Sequence, residues 1–399
     1  MSIGYILNWF PQLSESFVEN EIRMVREQGH PVRVFSIYRP PAELSAPTTL
    51  APGAIEYRPS PGLVLMHLLA WLARRPLPLL AETARALRLR SQTQLRGVWL
   101  SGWIATGLVR MGAQHVHAHF AHDAAAAGMV AARLTGMSFT LTVHAHELYL
   151  RTNGVCARCV AADRVITVCD YNVDQLARLC PNLNRSKVDV IYCGVDVERF
   201  SQVLRPPLRP PAQLLSVGRL VSIKGFDLLI RAVGLLRDQG RDVICEIVGQ
   251  GPLQSDLEQL RDDLGLRDWI VFRGPLLPDD IRQELSECDV FVLACRIDET
   301  GNRDSMPVVI KEAMATGAPV VATREAAVPE MVDHTVGRLA EPESPQSLAE
   351  CIGELLDLSD EERHQLGRNG RRRVCERFNL ETEAARLLEV FSSVIRERL

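Results

Sequence analysis

Short β-branched runs alternate with helical stretches in two series separated by prolines, and this pattern restricts the chain more than any other property. The first series places strands at 3–7, 32–37, 115–118, 139–143, 164–168 and 188–192, with helices at 16–28, 122–135 and 170–180. Residues 62–111 read as two or three helices interrupted at Pro76 and Pro78. Segment 205–211, Arg-Pro-Pro-Leu-Arg-Pro-Pro, reads as a linker, because proline neither donates to a strand ladder nor continues a helix. Strands restart at 213–217, 243–248, 269–272, 289–293 and 319–323, with helices at 226–239, 252–264, 279–287 and 306–316. Residues 346–357, 360–376 and 380–397 are then helical to the end. Such alternation predicts an α/β protein with two Rossmann-like, doubly wound parallel-sheet domains facing a cleft. The expected domains are 1–204 and 205–380, with a final helix at 381–399 returning to the N-terminal domain.

Charge narrows the partners. The formal net charge is −4. Residues 1–200 carry 20 Lys+Arg against 15 Asp+Glu, a balance of +5, and the remainder carries 25 against 34, a balance of −9. The basic excess is densest over 58–133, where nine arginines face only Glu82 and Asp123. A mildly acidic chain with 6% aromatics is a poor nucleic-acid binder. A local basic face suits an anionic substrate or an anionic membrane surface, or is simply a solvated helical face. The N-terminus reads as a strand without a basic leader, and ten cysteines in a chain of this length form no disulfide framework. Both features predict a cytoplasmic protein, compatible with peripheral contact on the inner face of a membrane. The pair Cys156 and Cys159 stands without a matching second pair. The apolar run 62–71, closed by Arg74 and Arg75, falls short of the roughly 20 residues that span a bilayer.

Two segments carry recognisable chemistry. In Gly218-Arg219-Leu-Val-Ser-Ile-Lys224-Gly225 a strand gives way to a loop and then a helix. The unpaired N–H groups of a helix start suit phosphate, Arg219 can grip it in bidentate fashion, and Lys224 adds a compact second charge. Only three of the 45 basic residues are lysines (Lys187, Lys224 and Lys311), so Lys224 was retained where arginine is the rule. In Asp304-Ser305-Met306-Pro307-Val-Val-Ile-Lys-Glu312 two carboxylates eight residues apart flank a helix start, with Glu312 expected about two turns in. Such a pair suits vicinal diols of ribose and sugars; equally, Asp304 caps the helix and Glu312 is a surface residue.

These segments, with Val248-Gly249-Gln250-Gly251-Pro252, with Glu312-Ala-Met-Ala-Thr-Gly317-Ala-Pro319-Val-Val and with Pro329-Glu330, resemble the GT-B-fold glycosyltransferases of family 4, a retaining group. Upstream, Phe10-Pro-Gln-Leu-Ser-Glu-Ser-Phe17, Val116-His-Ala-His-Phe120, Val143-His-Ala-His146 and Tyr192-Cys-Gly-Val-Asp196 resemble its polysaccharide-assembly, colanic-acid-like branch. The resemblance implies a hexosyl or amino-sugar transfer from a nucleotide-diphosphate sugar, UDP or GDP, to a glycan, lipid-linked or small natural-product acceptor such as an aminoglycoside (antibiotic) precursor. It implies that Arg219 and Lys224 neutralise the diphosphate, that Gly218, Gly249 and Gly251 border the donor, and that Glu312 binds the ribose hydroxyls. Asp304, beside Ser305, Met306 and Pro307, would hold hydroxyls of the donor sugar, and His144 would sit at the reaction centre. No metal and no further cofactor is expected, since two cations and a helix start carry the leaving-group charge. Asp304 departs from the family's Glu at this position, which bears on which sugar hydroxyls are read.

Six of ten histidines fall between His115 and His146. On one strand face, His115, His117 and His119 could converge on a metal, as in a metal-dependent hydrolase. The alternative places His119 and His144 at adjacent strand ends, with the other four as packing or surface residues. Acceptor contacts are assigned to Ser14, Glu15, Ser16 and His119, although a helix cap by Ser14 reads marginally better from the residues alone. Rival functions are a non-hydrolysing nucleotide-sugar epimerase on the same fold and a non-catalytic sugar-nucleotide-binding subunit.

Overall fold

Each series of strands forms one sheet in which every pairing is parallel. The structure, a computed structural model, describes residues 1–41, 45–51, 53–203 and 205–398, apart from the side chain of Ser14. The first seven strands are β1 (Ile3–Trp9), β2 (Val32–Tyr38), β3 (Ile55–Tyr57), β4 (His115–His119), β5 (Ser138–Val143), β6 (Arg164–Thr167) and β7 (Val188–Val190). They are ordered β3-β2-β1-β4-β5-β6-β7. The second sheet contains β8 (Ala212–Val217), β9 (Val243–Val248), β10 (Ile270–Gly274), β11 (Val290–Leu293), β12 (Val320–Thr323) and β13 (Gly337–Ala340), ordered β10-β9-β8-β11-β12-β13.

Strands covered on both faces read as near-continuous apolar runs, and β1, β5 and β11 are buried in that way. Alternate residues of β1 separate two cores. Ile3, Tyr5 and Leu7 pack with Val18 and Ile22 of the helix Ser16–Glu27 and with Leu387 and Phe391 of the helix Leu380–Arg396. Ile6 faces the other way, toward Phe35, Trp103 and Leu108 beneath the helix Gln92–Arg110. In the second sheet Leu214, Ile247 and Val292 share a core with Phe226, Leu229 and Ile352.

Compact units comprise Met1–Cys193 with Glu381–Leu399, and Gly194–Leu380. The segment 205–211 is not a free linker. Arg205 is buried, and its guanidinium donates to Leu285 O at 2.6 Å, to Gly317 O at 3.2 Å and to the Cys288 carbonyl. Leu208 N donates to Asp360 Oδ1 at 3.2 Å. Prolines stiffen this segment and Arg205 fastens it to the second unit, so the chain changes unit ahead of it, at Gly194. There Val195 N donates to Phe378 O at 2.8 Å and Leu380 N returns a bond to Val195 O at 3.0 Å. Two edge strands escaped the pattern: β3, with only three residues, and β13, Gly-Arg-Leu-Ala, which has no β-branched residue.

Candidate active site

Parallel sheets bind ligands beyond the carboxyl ends of their strands, where the strand order reverses. In the second unit that reversal lies between β8 and β11, and in the first between β1 and β4. The loops leaving these four strands contain residues 218–225, 294–307, 10–15 and 120–122. Most of the segments singled out from sequence therefore emerge at a switch point.

In the second unit, β8 ends at Val217 and the chain makes a 3-10 turn over Ser222–Lys224 before the helix Phe226–Asp238. Gly225 turns the corner with φ +62°, and a Cβ there would lie 1.9 Å from the Ala294 carbonyl oxygen, so only glycine fits. Arg296 staples the loop: its N and Nε donate to Ile223 O and Ser222 O, both at 3.0 Å, and its guanidinium donates to Asp227 Oδ1 at 2.6 Å. Lys224 Nζ donates to Asp304 Oδ2 at 2.6 Å, joining the loops after β8 and β11. Burial works against the Lys224 ammonium, but the Asp304 carboxylate outweighs it and holds the group above its ordinary value. Arg219 is exposed and, among the described residues, has no ion pair. Gly218 leaves room around it: a Cβ added there would meet nothing nearer than 3.5 Å, at the side chains of Lys224 and Phe226.

Gly249 and Gly251 act beneath this loop. A Cβ on Gly249, at φ +139°, would meet Gly218 O at 1.9 Å, and one on Gly251 would meet Leu220 O at 2.4 Å. Gly218 N and Leu220 N donate to Val248 O and Gln250 O at 2.9 and 3.0 Å. These glycines bring two backbones into contact and so set the height of the Arg219 loop.

Ser305, Met306 and Pro307 are buried and lead into the helix Val308–Thr316, with Ser305 O accepting from Ala327 N at 3.0 Å. The helix begins at Val308, so Glu312 lies just over one turn in, rather than the two expected. Burial pushes the Glu312 carboxyl up to about 7, against the opposing charges of Lys311 and Arg199. Lys311 is fully buried and lies 5.4 Å from the Phe378 ring.

In the first unit, the six histidines form two groups. His115, His117 and His119 share the strand face that the helix Leu380–Arg396 covers, and Phe391 lies 4.5 and 4.9 Å from the first two rings. His115 contacts Ser138 Oγ (2.7 Å) and Thr140 Oγ1 (2.8 Å), and His117 Nδ1 contacts Thr140 Oγ1 (2.7 Å). At the strand ends, His119 Nδ1 lies 3.2 Å from His144 Nε2, and His119 Nε2 lies 3.1 Å from Glu21 Oε1. Tyr5 OH donates to the same Glu21 oxygen at 2.9 Å. His144 packs against Phe17 and Phe120 with tilted rings, centroids at 5.2 and 4.4 Å, and burial together with His119 holds it well below its ordinary value, hence neutral. The second group pairs His122 with His146 at 3.3 Å.

Glu147 is buried beside His144. Its Oε1 accepts from His144 N (2.9 Å) and Ala121 N (3.0 Å), while Oε2 has no partner among the described residues. Burial raises this carboxyl to about 7 despite those two N–H groups. Glu15 is pushed up to about 8, by burial first and by the Glu147 charge second. Helix Ser16–Glu27 takes Glu15 at its cap position with no side-chain cap bond, so the cap is not Ser14. Ser14 lies within the 3-10 turn Leu13–Glu15, its side chain outside the described atoms, and Ser16 is exposed.

Two clusters have ligating atoms within 4.8 Å: Glu21 with His117 and His119, and His122 with His146 and Glu147. In the first, His119 Nε2 lies between Glu21 Oε1 at 3.1 Å and His117 Nε2 at 3.2 Å, and Thr142 Oγ1 lies 3.2 Å from His117 Nε2. Sequence reasoning passed over Glu21, Glu147 and Arg296. Glu147 directly follows the His-Ala-His run and was open to inspection; Glu21 becomes visible only once the helix Ser16–Glu27 is laid on the sheet.

The family described as Glycosyl transferases group 1 matches residues 197–373, and the one described as Glycosyltransferase Family 4 matches residues 14–199. Escherichia coli (strain K12) WcaL, by name a colanic acid biosynthesis glycosyltransferase, is 27% identical over 425 residues, 98% of this chain and 100% of its own. The GDP-mannose-dependent alpha-(1-6)-phosphatidylinositol monomannoside mannosyltransferase of Mycobacterium tuberculosis (strain H37Rv) is 30% identical over 275 residues, 65% of this chain and 70% of its own. Among solved structures, Anabaena Alr3699/HepE in complex with UDP superposes with a TM-score of 0.74 at 19% identity, over 98% of this chain and 100% of that one. At that identity the likeness speaks for the two-sheet GT-B fold.

Proposed function

Since this chain belongs to the group 1, family 4 glycosyltransferases, we propose that it moves a hexosyl or amino-sugar unit, with retention, from a UDP- or GDP-linked donor to an acceptor hydroxyl. The acceptor class is a glycan or glycolipid of cell-surface polysaccharide assembly, in keeping with the names of the colanic-acid and phosphatidylinositol-mannoside relatives. The observation that carries this reading is the Lys224–Asp304 contact at the β8/β11 switch point, with Arg219 exposed and uncommitted beside it.

Lys224 and Arg219 take the diphosphate, with the start of the helix Phe226–Asp238 adding N–H groups. As the bond from the sugar C1 to the diphosphate oxygen breaks, the electron pair leaves with phosphate, and these cations stabilise it. The acceptor hydroxyl adds to C1 on the same face and its proton passes to the departing phosphate oxygen. No metal enters this scheme. Once Lys224 turns to the phosphate, Asp304 is released to hydrogen-bond the donor sugar alongside the Ser305 and Met306 backbone. Glu312 binds the ribose diol, and His144 is assigned to the transferred sugar. Glu15, Ser16 and His119 are assigned to the acceptor.

Thermal-shift measurements with UDP, GDP and dTDP sugars test the donor, since a ligand that prefers the folded state raises its melting temperature. Lys224→Ala and Glu312→Ala should each abolish transfer with the fold intact, and near-normal turnover in both sinks the assignment. The anomeric configuration of the product, read by NMR, tests retention. Turnover unchanged by a chelator is expected. Conversion of the donor without any acceptor would instead mark an epimerase.

A further inference from the structure

The helix Pro61–Arg74 is apolar on all sides, a composition that belongs in a core or in lipid. Only one side of it is buried: Val64 and Trp71 pack inward, while Leu63, Leu65, Met66, Leu69 and Leu72 face outward. The next helix, Pro76–Arg88, repeats the arrangement, with Leu79 and Ala86 inside and Leu77, 78% accessible, and Leu80 outside. Of the eighteen large apolar side chains exposed among the described residues, ten lie between positions 63 and 95. Isolated exposed leucines are ordinary, but a contiguous patch of this kind marks an interaction surface.

The same surface is cationic. Arg74, Arg75, Arg85, Arg88 and Arg90 are exposed and, among the described residues, form no ion pair. The one acidic residue of these two helices, Glu82, is buried and already bonded to Arg133 and to Gln94 Nε2. We propose that the outer face of these two helices docks the protein on an anionic lipid bilayer. Exposed leucines enter the acyl boundary and the arginines meet the headgroup phosphates. A protein partner would have to supply an apolar face and an acidic rim together, whereas an anionic bilayer presents both in layers.

Geometry favours lying on the membrane over crossing it. Among the described residues no single helix is long and apolar enough to span a bilayer, and the two helices meet at a bend of 117°. Fourteen residues reach about 21 Å, short of the ~30 Å hydrocarbon core. Pro61 follows the end of β3 by only a few residues, so the pair begins at the sheet edge where the parallel strands end. His119 and His144 belong to that edge, which sets the bilayer beside the acceptor side of the first unit. Docking itself stands independently of the donor and the reaction.

Sedimentation of the full chain with phosphatidylcholine vesicles, with and without phosphatidylglycerol, tests this. Binding should be at least about tenfold tighter to the anionic vesicles and should weaken in high salt. Neutralising three arginines (Arg85→Gln, Arg88→Gln, Arg90→Gln) should weaken it about a hundredfold, and the corresponding three lysine substitutions should restore it. Replacing only outward apolar groups (Met66→Gln, Leu69→Gln, Leu77→Gln, Leu80→Gln) should cost about tenfold or more in low salt, with unchanged circular dichroism. No binding to anionic vesicles, or binding indifferent to both variant sets, overturns the proposal. So does a concentration-dependent dimer of the parent protein that the four glutamines dissolve, because the patch would then face a second copy.

Discussion

The proposed contact of Glu312 with the donor ribose would tie donor affinity to pH in a way that can be worked out in advance. Its carboxyl is pushed from 4.5 to about 7 by burial on the helix Val308–Thr316. A carboxylate accepts both hydrogen bonds of a ribose diol, whereas a carboxylic acid must spend one oxygen as a donor. If only the ionised form binds well, the apparent affinity scales with the ionised fraction, about 0.1 at pH 6 and about 0.9 at pH 8. Donor affinity should therefore be about tenfold weaker at pH 6 than at pH 8, or about 1.4 kcal/mol. An ordinary carboxyl would be ionised at both values and give no difference. UDP-glucose and GDP-mannose suit the measurement, because the diphosphate of a nucleotide sugar does not titrate in this range. Calorimetry at pH 7 in buffers of different ionisation enthalpy should also register release of about half a proton per donor bound. Glu312→Gln should bind weakly and with a flat pH profile. A parent protein whose affinity changes less than about twofold between pH 6 and 8, or a glutamine variant that keeps the slope, refutes the reasoning.

Three further outcomes can be checked. Gly249→Ala should destabilise the second unit by about 2–4 kcal/mol in urea unfolding and lower donor affinity, since its methyl collides with Gly218 O at a positive φ. Glu21→Gln keeps the oxygen that accepts from Tyr5 and His119 but loses the charge; donor affinity should hold while kcat falls on the order of tenfold or more. Glu147 has a folded value of about 7, above its ordinary 4.5, so its contribution is fully present below pH ~4.5 and is lost as pH rises through 7. Glu147→Gln should accordingly narrow the fall in melting temperature between pH 5.5 and 8 by about 3–6 °C, read by differential scanning calorimetry.

The strand and helix alternation was legible because covered parallel strands are written as β-branched and apolar runs, and β1, β11 and β12 are of that kind. β13 was not, since an edge strand built from Gly337, Arg338, Leu339 and Ala340 is defined by pairing with β12 and not by its composition. The prolines of 206–211 suggested freedom that Arg205 removes through carbonyl groups some eighty or more residues away, which no local pattern encodes. Lys224 stood out by its rarity and by its place in the Gly218–Gly225 loop, and the structure gives it the partner, Asp304, that the second segment had supplied. Gly249 and Gly251 are expected from the motif to border the donor; that they also meet the underside of the Arg219 loop is a contact that requires coordinates. Glu21 needed the phase of a helix against a sheet, and so escaped.

The paired crossings of the chain at Cys193/Gly194 and Leu380/Glu381 have a topological meaning. Gly194 and Leu380 touch so closely that a methyl on the glycine would sit 2.4 Å from the Leu380 Cα. The whole of Gly194–Leu380 is thus an insertion whose two ends meet, spliced between β7 and the closing helix of an otherwise continuous host domain. An insert with touching ends makes no demand on the spacing of its host. Gly194–Leu380 is a cassette that can be exchanged at a single seam, leaving the strand order and the histidine row of the host as they are.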